Sequence, residues 1–128
     1  MIEHLGQRVL ISGDIEKQVE RYLVRTIPER LAADFLLVPH QGSKTSSTSA
    51  FLDVVSPTTA MLAAGYKNHY GHPHPKVVAR YHERGIELLS TIDSGSVLLK
   101  FNSKGTSVSK FREQRRHFWS YQKVPNRR

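Results

Sequence analysis

The chain has 128 residues, a length that suits one domain, and 38% of them are hydrophobic, which allows a modest core. It contains no cysteine, which excludes disulfides and thiolate metal sites, and no apolar run approaches the roughly 18 residues of a membrane helix. The formal net charge of +8 favours a polyanionic partner, although the segment from residue 110 onward carries seven basic residues and one acidic residue and so holds most of that excess.

Strands and helices are predicted to alternate along the chain. Strands are expected over residues 8–12, 35–38, 58–64, 86–91, 96–101 and 106–110, and helices over residues 15–24, between Thr48 and Pro57, and over residues 75–84. In the first helix the apolar residues recur at i, i+4, i+7 and i+8, which is one face of a helix. This alternation predicts an α/β fold in which one mixed sheet, of about five or six strands, carries helices mainly on one face.

Polar residues directly follow three of the predicted strands. Gly13-Asp14 follows the first strand, His40 follows the second, and a loop over residues 65–74 with three histidines follows the third. Because polar loops in such folds collect at the carboxyl ends of the strands, we expect these residues to share one edge of the sheet. An acidic residue and several histidines resemble the ligand set of zinc or manganese.

The segment after His40 is rich in small polar residues. Ser43, Lys44 and Ser46 lie in a run that also contains a glycine and two further hydroxyl residues. Such a run can turn the chain and offer N–H and O–H donors to an anion.

Each of these residues also has an ordinary structural interpretation. Asp14 precedes a helix and could be its N-cap, and His74 could cap the helix that begins at residue 75. His40 could be a core histidine that donates to a carbonyl, and Lys44 could be a solvated loop lysine.

The basic end of the chain is predicted to be a separate tail, residues 110–128, after a domain that spans residues 1–109. Arg112, Arg115 and Arg116 are interleaved with aromatic residues and could bind a phosphate backbone while those aromatic rings stack on single-stranded bases. The alternative is a solvated helix whose aromatic residues pack on the core.

Three ordered motifs resemble the C-terminal metallo-β-lactamase-like domain of the ComEC family, the inner-membrane proteins of DNA uptake in natural competence. Residues 10–16 resemble its strand that ends in Gly-Asp, residues 38–46 its Pro-His-His-Gly-Ser-Lys-Thr-Ser loop, and residues 68–75 its Tyr-Gly-His-Pro-His-Pro loop. The resemblance runs from about residue 8 to residue 101. It implies the C-terminal half of an αββα sandwich, in a domain without a transmembrane segment that faces the periplasm or the exterior.

The resemblance also implies a two-metal site for phosphodiester hydrolysis. Asp14 would bridge two zinc or manganese ions, and His72 would bind the second ion. His40 would bind metal or give a proton to the leaving group, with His74 and Tyr70 beside them in support of catalysis. A two-metal site activates a water and holds a phosphoryl oxygen, which suits DNA as the substrate.

The scissile phosphate would then lie beside the hydroxyl-rich loop, where Ser43 and Ser46 would contact it and Lys44 would offset its charge. One departure from the family's pattern is that Gln41 stands where the family has the second histidine of its pair. Glutamine is a poor ligand for these metals.

A larger departure is that the superfamily's first ligand cluster, a His/Ser-x-His/Asp-x-Asp-His motif, has no counterpart before Asp14. That segment holds a single histidine, His4. We therefore expect half of the metal ligands and one of the two sheets to be absent from this chain. The sheet would then expose an apolar face, to be covered by the missing N-terminal half or by a second copy of the chain.

Two functions from different classes follow. In the first, the chain is the C-terminal portion of a competence-related DNA-uptake protein, part of a metal-dependent hydrolase domain acting on DNA, with the missing half-domain and a membrane channel of the parent protein as partners. In the second, it is a non-catalytic module for DNA binding or interaction. The absent ligand cluster predicts that this chain alone is inactive.

Overall fold

Five strands form one mixed sheet in the computed structural model, which describes residues 1–114. The strands are β1 (Ile2–His4), β2 (Gln7–Ile11), β3 (Phe35–Leu37), β4 (Thr59–Leu62) and β5 (Glu87–Ser90), and they lie side by side in that order. β1 pairs antiparallel with β2, whereas β2, β3, β4 and β5 are parallel. The predicted α/β class with a mixed sheet and helices is confirmed.

Three helices connect the parallel strands: α1 (Lys17–Thr26), α2 (Ser49–Val55) and α3 (Pro75–Glu83). Each connection leads to the next strand in the same direction, and because such crossovers are right-handed, all three helices lie on one face of the sheet. The buried core lies between the helices and that face. It includes Leu10, Leu36 and Ala60 from adjacent strands, Phe51, Leu52 and Val55 from α2, and Val77 and Tyr81 from α3.

Among residues 1–114, the opposite face of the sheet is apolar and only partly covered. Successive strand side chains point to opposite faces, so the paired residues Ile11, Leu37, Met61 and Leu89 form one row on the face away from the helices. An apolar groove of about 120 Å³ lies along this row, and Ile11 is 53% exposed.

A two-stranded antiparallel sheet covers part of this apolar face. It consists of β6 (Val97–Asn102) and β7 (Gly105–Lys110). Its Phe101 ring meets Phe35 of the large sheet edge to face, with 5.6 Å between ring centroids, and its Leu99 lines the groove.

The remaining described elements are short. They are 3-10 turns at Pro28–Arg30 and Pro39–Gly42, and the helices α4 (Thr91–Ser94) and α5 (Phe111–Gln114). Within residues 1–114, no helix is both long enough and apolar enough to cross a membrane. The predicted division at residues 109 and 110 stays a prediction, and most of the predicted tail lies outside the described residues.

The loop after β3 is held by a carboxylate in the core. Glu20 of α1 is completely buried, and its two oxygens accept the backbone N–H groups of Ser47 at 2.6 Å and Thr48 at 2.8 Å. A buried charge is tolerated when it is fully hydrogen-bonded, and these charge-assisted bonds supply that compensation. The same segment is bound from α3, where Arg80 Nη1 donates to the carbonyls of Ser46 and Ser47.

Tyr81 completes this network. Its hydroxyl lies 3.0 Å from Ser47 Oγ, and burial raises the pKa of Tyr81 well above its usual value, which keeps the hydroxyl protonated. Helices α1 and α3 therefore fix the loop between β3 and α2 from two sides.

We predict that Glu20→Ala lowers the free energy of unfolding by about 3 kcal/mol or more, because it leaves two buried N–H groups without an acceptor. Urea unfolding followed by circular dichroism measures this change. Glu83→Ala, at an exposed glutamate of α3, is the matched control and is expected to stay within about 0.5 kcal/mol of the parent chain. Equal effects of the two substitutions would contradict a structural role for the buried carboxylate.

Candidate functional site

The three polar segments predicted to share one edge of the sheet do lie at the carboxyl ends of β2, β3 and β4. Two backbone hydrogen bonds join them. The N–H of His40, after β3, donates to the carbonyl of Gly13, after β2, at 2.9 Å, and the N–H of His74, after β4, donates to the carbonyl of Gly42 at 2.9 Å. The middle segment is thus fixed to both of its neighbours.

His40 has an unusual backbone conformation. Its φ and ψ are 46° and 42°, and Gln41 follows with φ 53°, so two consecutive non-glycine residues occupy the left-handed region. Such conformations persist only where the surrounding structure imposes them, and they concentrate at functional sites. Here the turn brings the imidazole of His40 edge to face with that of His72, with 5.8 Å between the ring centroids.

Glu16, at the N-terminus of α1, contacts the same imidazole. Its Oε1 lies 3.1 Å from His40 Nδ1 and accepts a hydrogen bond from Thr45 Oγ1 at 2.9 Å. Nδ1 is buried, and the contact to Glu16 is close without being aligned as a hydrogen bond. A carboxylate on this side favours a proton on Nδ1 and leaves Nε2 as the nitrogen that can bind or accept.

The sequence pattern places Glu16 inside the predicted helix over residues 15–24 and does not indicate this contact. The available signal was its position two residues after Asp14 at a strand end, which puts a second carboxylate at the same edge.

His72 is held by the side chain of Asn68. Asn68 Oδ1 accepts the N–H of His72 at 3.0 Å, and its Nδ2 donates to the carbonyls of His72 and Gly65. The His72 ring also stacks on the Tyr70 ring, with 5.9 Å between the ring centroids, and the centroids of the Tyr70 and His69 rings are 4.7 Å apart. Asn68 is a second residue that sequence reasoning missed, although asparagine is typical of tight loops.

His74 caps α3. Its Nδ1 accepts the N–H of Lys76 at 3.2 Å, which is the alternative considered for it from the sequence. Because this bond uses Nδ1, any further role of His74 in catalysis falls to Nε2.

The predicted phosphate-binding loop satisfies much of its hydrogen bonding internally. Ser46 is buried, and its hydroxyl is bonded to the carbonyls of Pro39 and Ser43. Ser43 is also buried, with its Oγ 3.0 Å from Thr45 Oγ1. Lys44 is the exposed member of the three, so it is the one already placed to meet an anion.

Curated proteins of bacterial competence match this chain over most of its length. It is 33% identical to ComE operon protein 3 of Bacillus subtilis over 99 residues, 77% of the chain. It is 36% identical to Competence protein ComA of Neisseria gonorrhoeae over 107 residues, 84% of the chain, and 36% identical to Recombination protein 2 of Haemophilus influenzae over 93 residues, 73% of the chain. The chain belongs to the ComEC family.

The chain corresponds to a small part of each relative. The three matches span 13%, 16% and 11% of the lengths of those proteins. No family model matches the chain.

Among residues 1–114 of this ComEC-family chain, no three or more His, Asp or Glu side chains are grouped so that they could hold a metal ion. The structure brings His40 and His72 together, whereas Asp14 is exposed on the neighbouring loop. The predicted ligands Asp14, His40 and His72 thus share an edge without forming a complete site by themselves.

The predicted nucleic-acid contacts divide between described and undescribed residues. Arg112 is half-buried, and its Nη1 donates to the carbonyl of Ile92. Arg115 and Arg116 lie outside the described residues.

We predict that Glu16→Gln changes the neutral tautomer of His40. At about pH 8, where most imidazoles are neutral, the parent chain should hold the His40 proton mainly on Nδ1, and the substitution should shift it toward Nε2. Nitrogen chemical shifts of the two ring nitrogens report the tautomer directly. Glu29→Gln, at an exposed glutamate, is the control, and an unchanged His40 tautomer in Glu16→Gln would show that the carboxylate does not orient the ring.

We also predict that Gly42→Ala lowers the free energy of unfolding of the protein. A Cβ at Gly42 would lie 2.8 Å from Pro73 Cβ, and the φ of +77° is strained for alanine. The matched control is Gly71→Ala, which has a similar φ of +67° but no atom within 4 Å of the added Cβ. In urea unfolding, Gly42→Ala should cost about 1–3 kcal/mol more than Gly71→Ala. Equal costs would mean that the two loops are not packed as described.

Proposed function

We propose that this chain is the C-terminal part of a metal-dependent hydrolase domain that cleaves DNA in a ComEC-family protein. The observation that carries the proposal is the convergence of His40 and His72 at the edge that also bears Asp14, in a chain whose relatives are named for competence and recombination. The activity, the substrate and the partners of the whole protein are part of this proposal.

We infer that the chain forms one half of a metallo-β-lactamase-like sandwich. The helices cover one face of its sheet, while the row Ile11, Leu37, Met61 and Leu89 lines an open apolar groove on the other. Exposed apolar surfaces of this kind usually mark interfaces. In the longer protein the preceding half-domain would cover the row, and in its absence a second copy of the chain would be the natural occupant.

The metal site is proposed to be shared in the same way. The described residues do not complete a ligand set, so the remaining ligands would come from the preceding half. Zinc or manganese suits the imidazole and carboxylate donors present here.

The chain's own side chains supply the neighbouring functions. The Nε2 of His40, oriented through Glu16, is placed to carry a proton to or from a substrate at the strand ends. The exposed ammonium group of Lys44 would attract the phosphate.

A second candidate is a non-catalytic module that binds DNA or another part of the parent protein. The specific observation in its favour is the lack of a three-ligand metal group in the described part of the chain. Activity of the longer protein distinguishes the two candidates.

We predict no chelator-sensitive DNA cleavage by the 128-residue chain with manganese, magnesium or zinc, and metal-dependent cleavage by a longer form that includes the preceding part of its relatives. In the longer form Asp14→Ala and His72→Ala should abolish cleavage. Asp53→Ala, at an exposed aspartate of α2 that pairs with Arg84, should leave cleavage unchanged. A time course of DNA degradation at both lengths measures all of these.

Robust cleavage by the 128-residue chain would overturn the shared site. A longer form that folds and binds DNA without cleaving it would favour the non-catalytic module.

A further inference from the structure

A second cavity lies at the same edge of the sheet, on the side of α3. Its volume is about 520 Å³, within the range of small-molecule sites. Its floor is apolar and is formed by residues that include Leu62, Val78 and Leu88, while Tyr66 and His82 are among the residues that add aromatic and polar groups. It lies outside the set of residues considered so far for metal and phosphate.

This cavity shares a wall with the candidate site. Leu62 and Pro73 line the cavity. The same two residues lie against Gly42: a Cβ added at Gly42 would be 3.3 Å from Leu62 Cδ1 and 2.8 Å from Pro73 Cβ. Pro73 is also flanked in sequence by His72 and His74. A substrate held at the strand ends therefore lies one side chain away from the cavity.

The lining of the cavity suits a flat ring with polar edges. Tyr66 lines the cavity and is 50% exposed. The ammonium group of Lys67 lies over one face of its ring, 5.5 Å from the centroid, so a base would stack on the other face. The imidazole of His82 lines the cavity beside apolar residues, and so does Ser90, whose hydroxyl already accepts the N–H of Ile92 at 3.1 Å.

We propose that this cavity is a nucleobase subsite, which takes an unpaired base of the nucleic acid whose phosphate lies at the candidate site; the choice of a nucleotide as ligand rests on the proposed function. A base enters such a pocket only when it is unstacked, because its faces and pairing edge are occupied in a duplex. The subsite therefore favours single strands and frayed ends over intact duplex.

Tyr70 lies in the same loop as Tyr66 but outside the cavity. It is 76% exposed, but it belongs to the row His69–Tyr70–His72, with neighbouring rings at 4.7 Å and 5.9 Å. Tyr66 lines the cavity and Tyr70 does not line it. The two tyrosines are four residues apart in one loop, and Tyr66 belongs to the cavity whereas Tyr70 belongs to the aromatic row.

The test is a titration of the isotope-labelled 128-residue chain with deoxyadenosine 5′-monophosphate and, separately, with deoxyribose 5-phosphate, followed by amide chemical shifts. The nucleotide should perturb the amides of Tyr66, Val78 and Ile92, and the sugar phosphate should not. Tyr66→Ala should weaken the base-dependent binding about tenfold, the usual effect of removing one stacking ring. Tyr66→Phe, which keeps the ring, should restore it.

Tyr22→Ala, at a tyrosine of α1 that is 65% exposed, is the control and is expected to bind the nucleotide like the parent chain. The amide spectra of all variants show directly that they remain folded. As a second variant, Val78→Gln replaces an apolar lining side chain of the cavity with a polar one and should also weaken base-dependent binding.

Absence of base-dependent shifts at the cavity, equal shifts with the sugar phosphate, or equal binding losses in Tyr66→Ala and Tyr22→Ala would each overturn the subsite. The titration requires no catalysis, so it is separable from the cleavage assay. Cleavage by the longer form without base-dependent binding rejects the subsite alone, and base-dependent binding without cleavage rejects the hydrolase alone.

Discussion

The buried carboxylate of Glu20 is the interaction on which the candidate site depends. A completely buried glutamate must find hydrogen-bond donors inside the protein, and Glu20 takes them from the backbone of Ser47 and Thr48. Because Arg80 binds the carbonyls of the same segment, the chain after β3 is fixed by both α1 and α3. The same segment is bonded to the turn at His40, because Ser46 Oγ donates to the carbonyl of Pro39 and the N–H of Ser43 donates to the carbonyl of His40.

The five-stranded sheet imposes a second constraint on the structure, because its two faces are covered to different extents. Three helices bury one face, and within residues 1–114 a two-stranded sheet covers only part of the other, where the apolar groove lies. The proposed half-sandwich would explain both this groove and the lack of a three-ligand group among the described residues. The same preceding segment would bury Ile11, Leu37 and Met61 and bring further ligands to the edge where Asp14 lies.

Much of the architecture could be predicted because β3 and β4 arise from short, mostly apolar runs, and polar residues follow these runs closely. β1 was missed, since it is a three-residue, exposed strand joined to β2 by a turn with positive φ at Leu5 and Gly6, and leucine is not a residue that signals such a turn. The segment between the predicted strands 86–91 and 96–101 holds the short helix α4, and a helix of a single turn leaves no clear periodic pattern in the sequence.

The site was predictable in its location but less so in its contacts. Strand ends carrying Asp14, His40 and His72 were visible as motifs, and their common edge follows from parallel pairing. The contacts of Glu16 with His40 and of Glu20 with the loop span 24 and about 27 residues of sequence, and glutamates in the early turns of a helix are ordinarily solvated. Only the fold shows that one of them is buried and the other faces an imidazole.

The most direct test of the shared-site account is a crystal structure of the longer ComEC-family protein grown with manganese, in which anomalous scattering locates the ions. Ions should be bound by Asp14 and His72 together with residues that precede this chain, and a preceding half-domain should pack on Ile11, Leu37 and Met61. Ions bound elsewhere, or an open apolar face in the longer protein, would contradict the shared-site account.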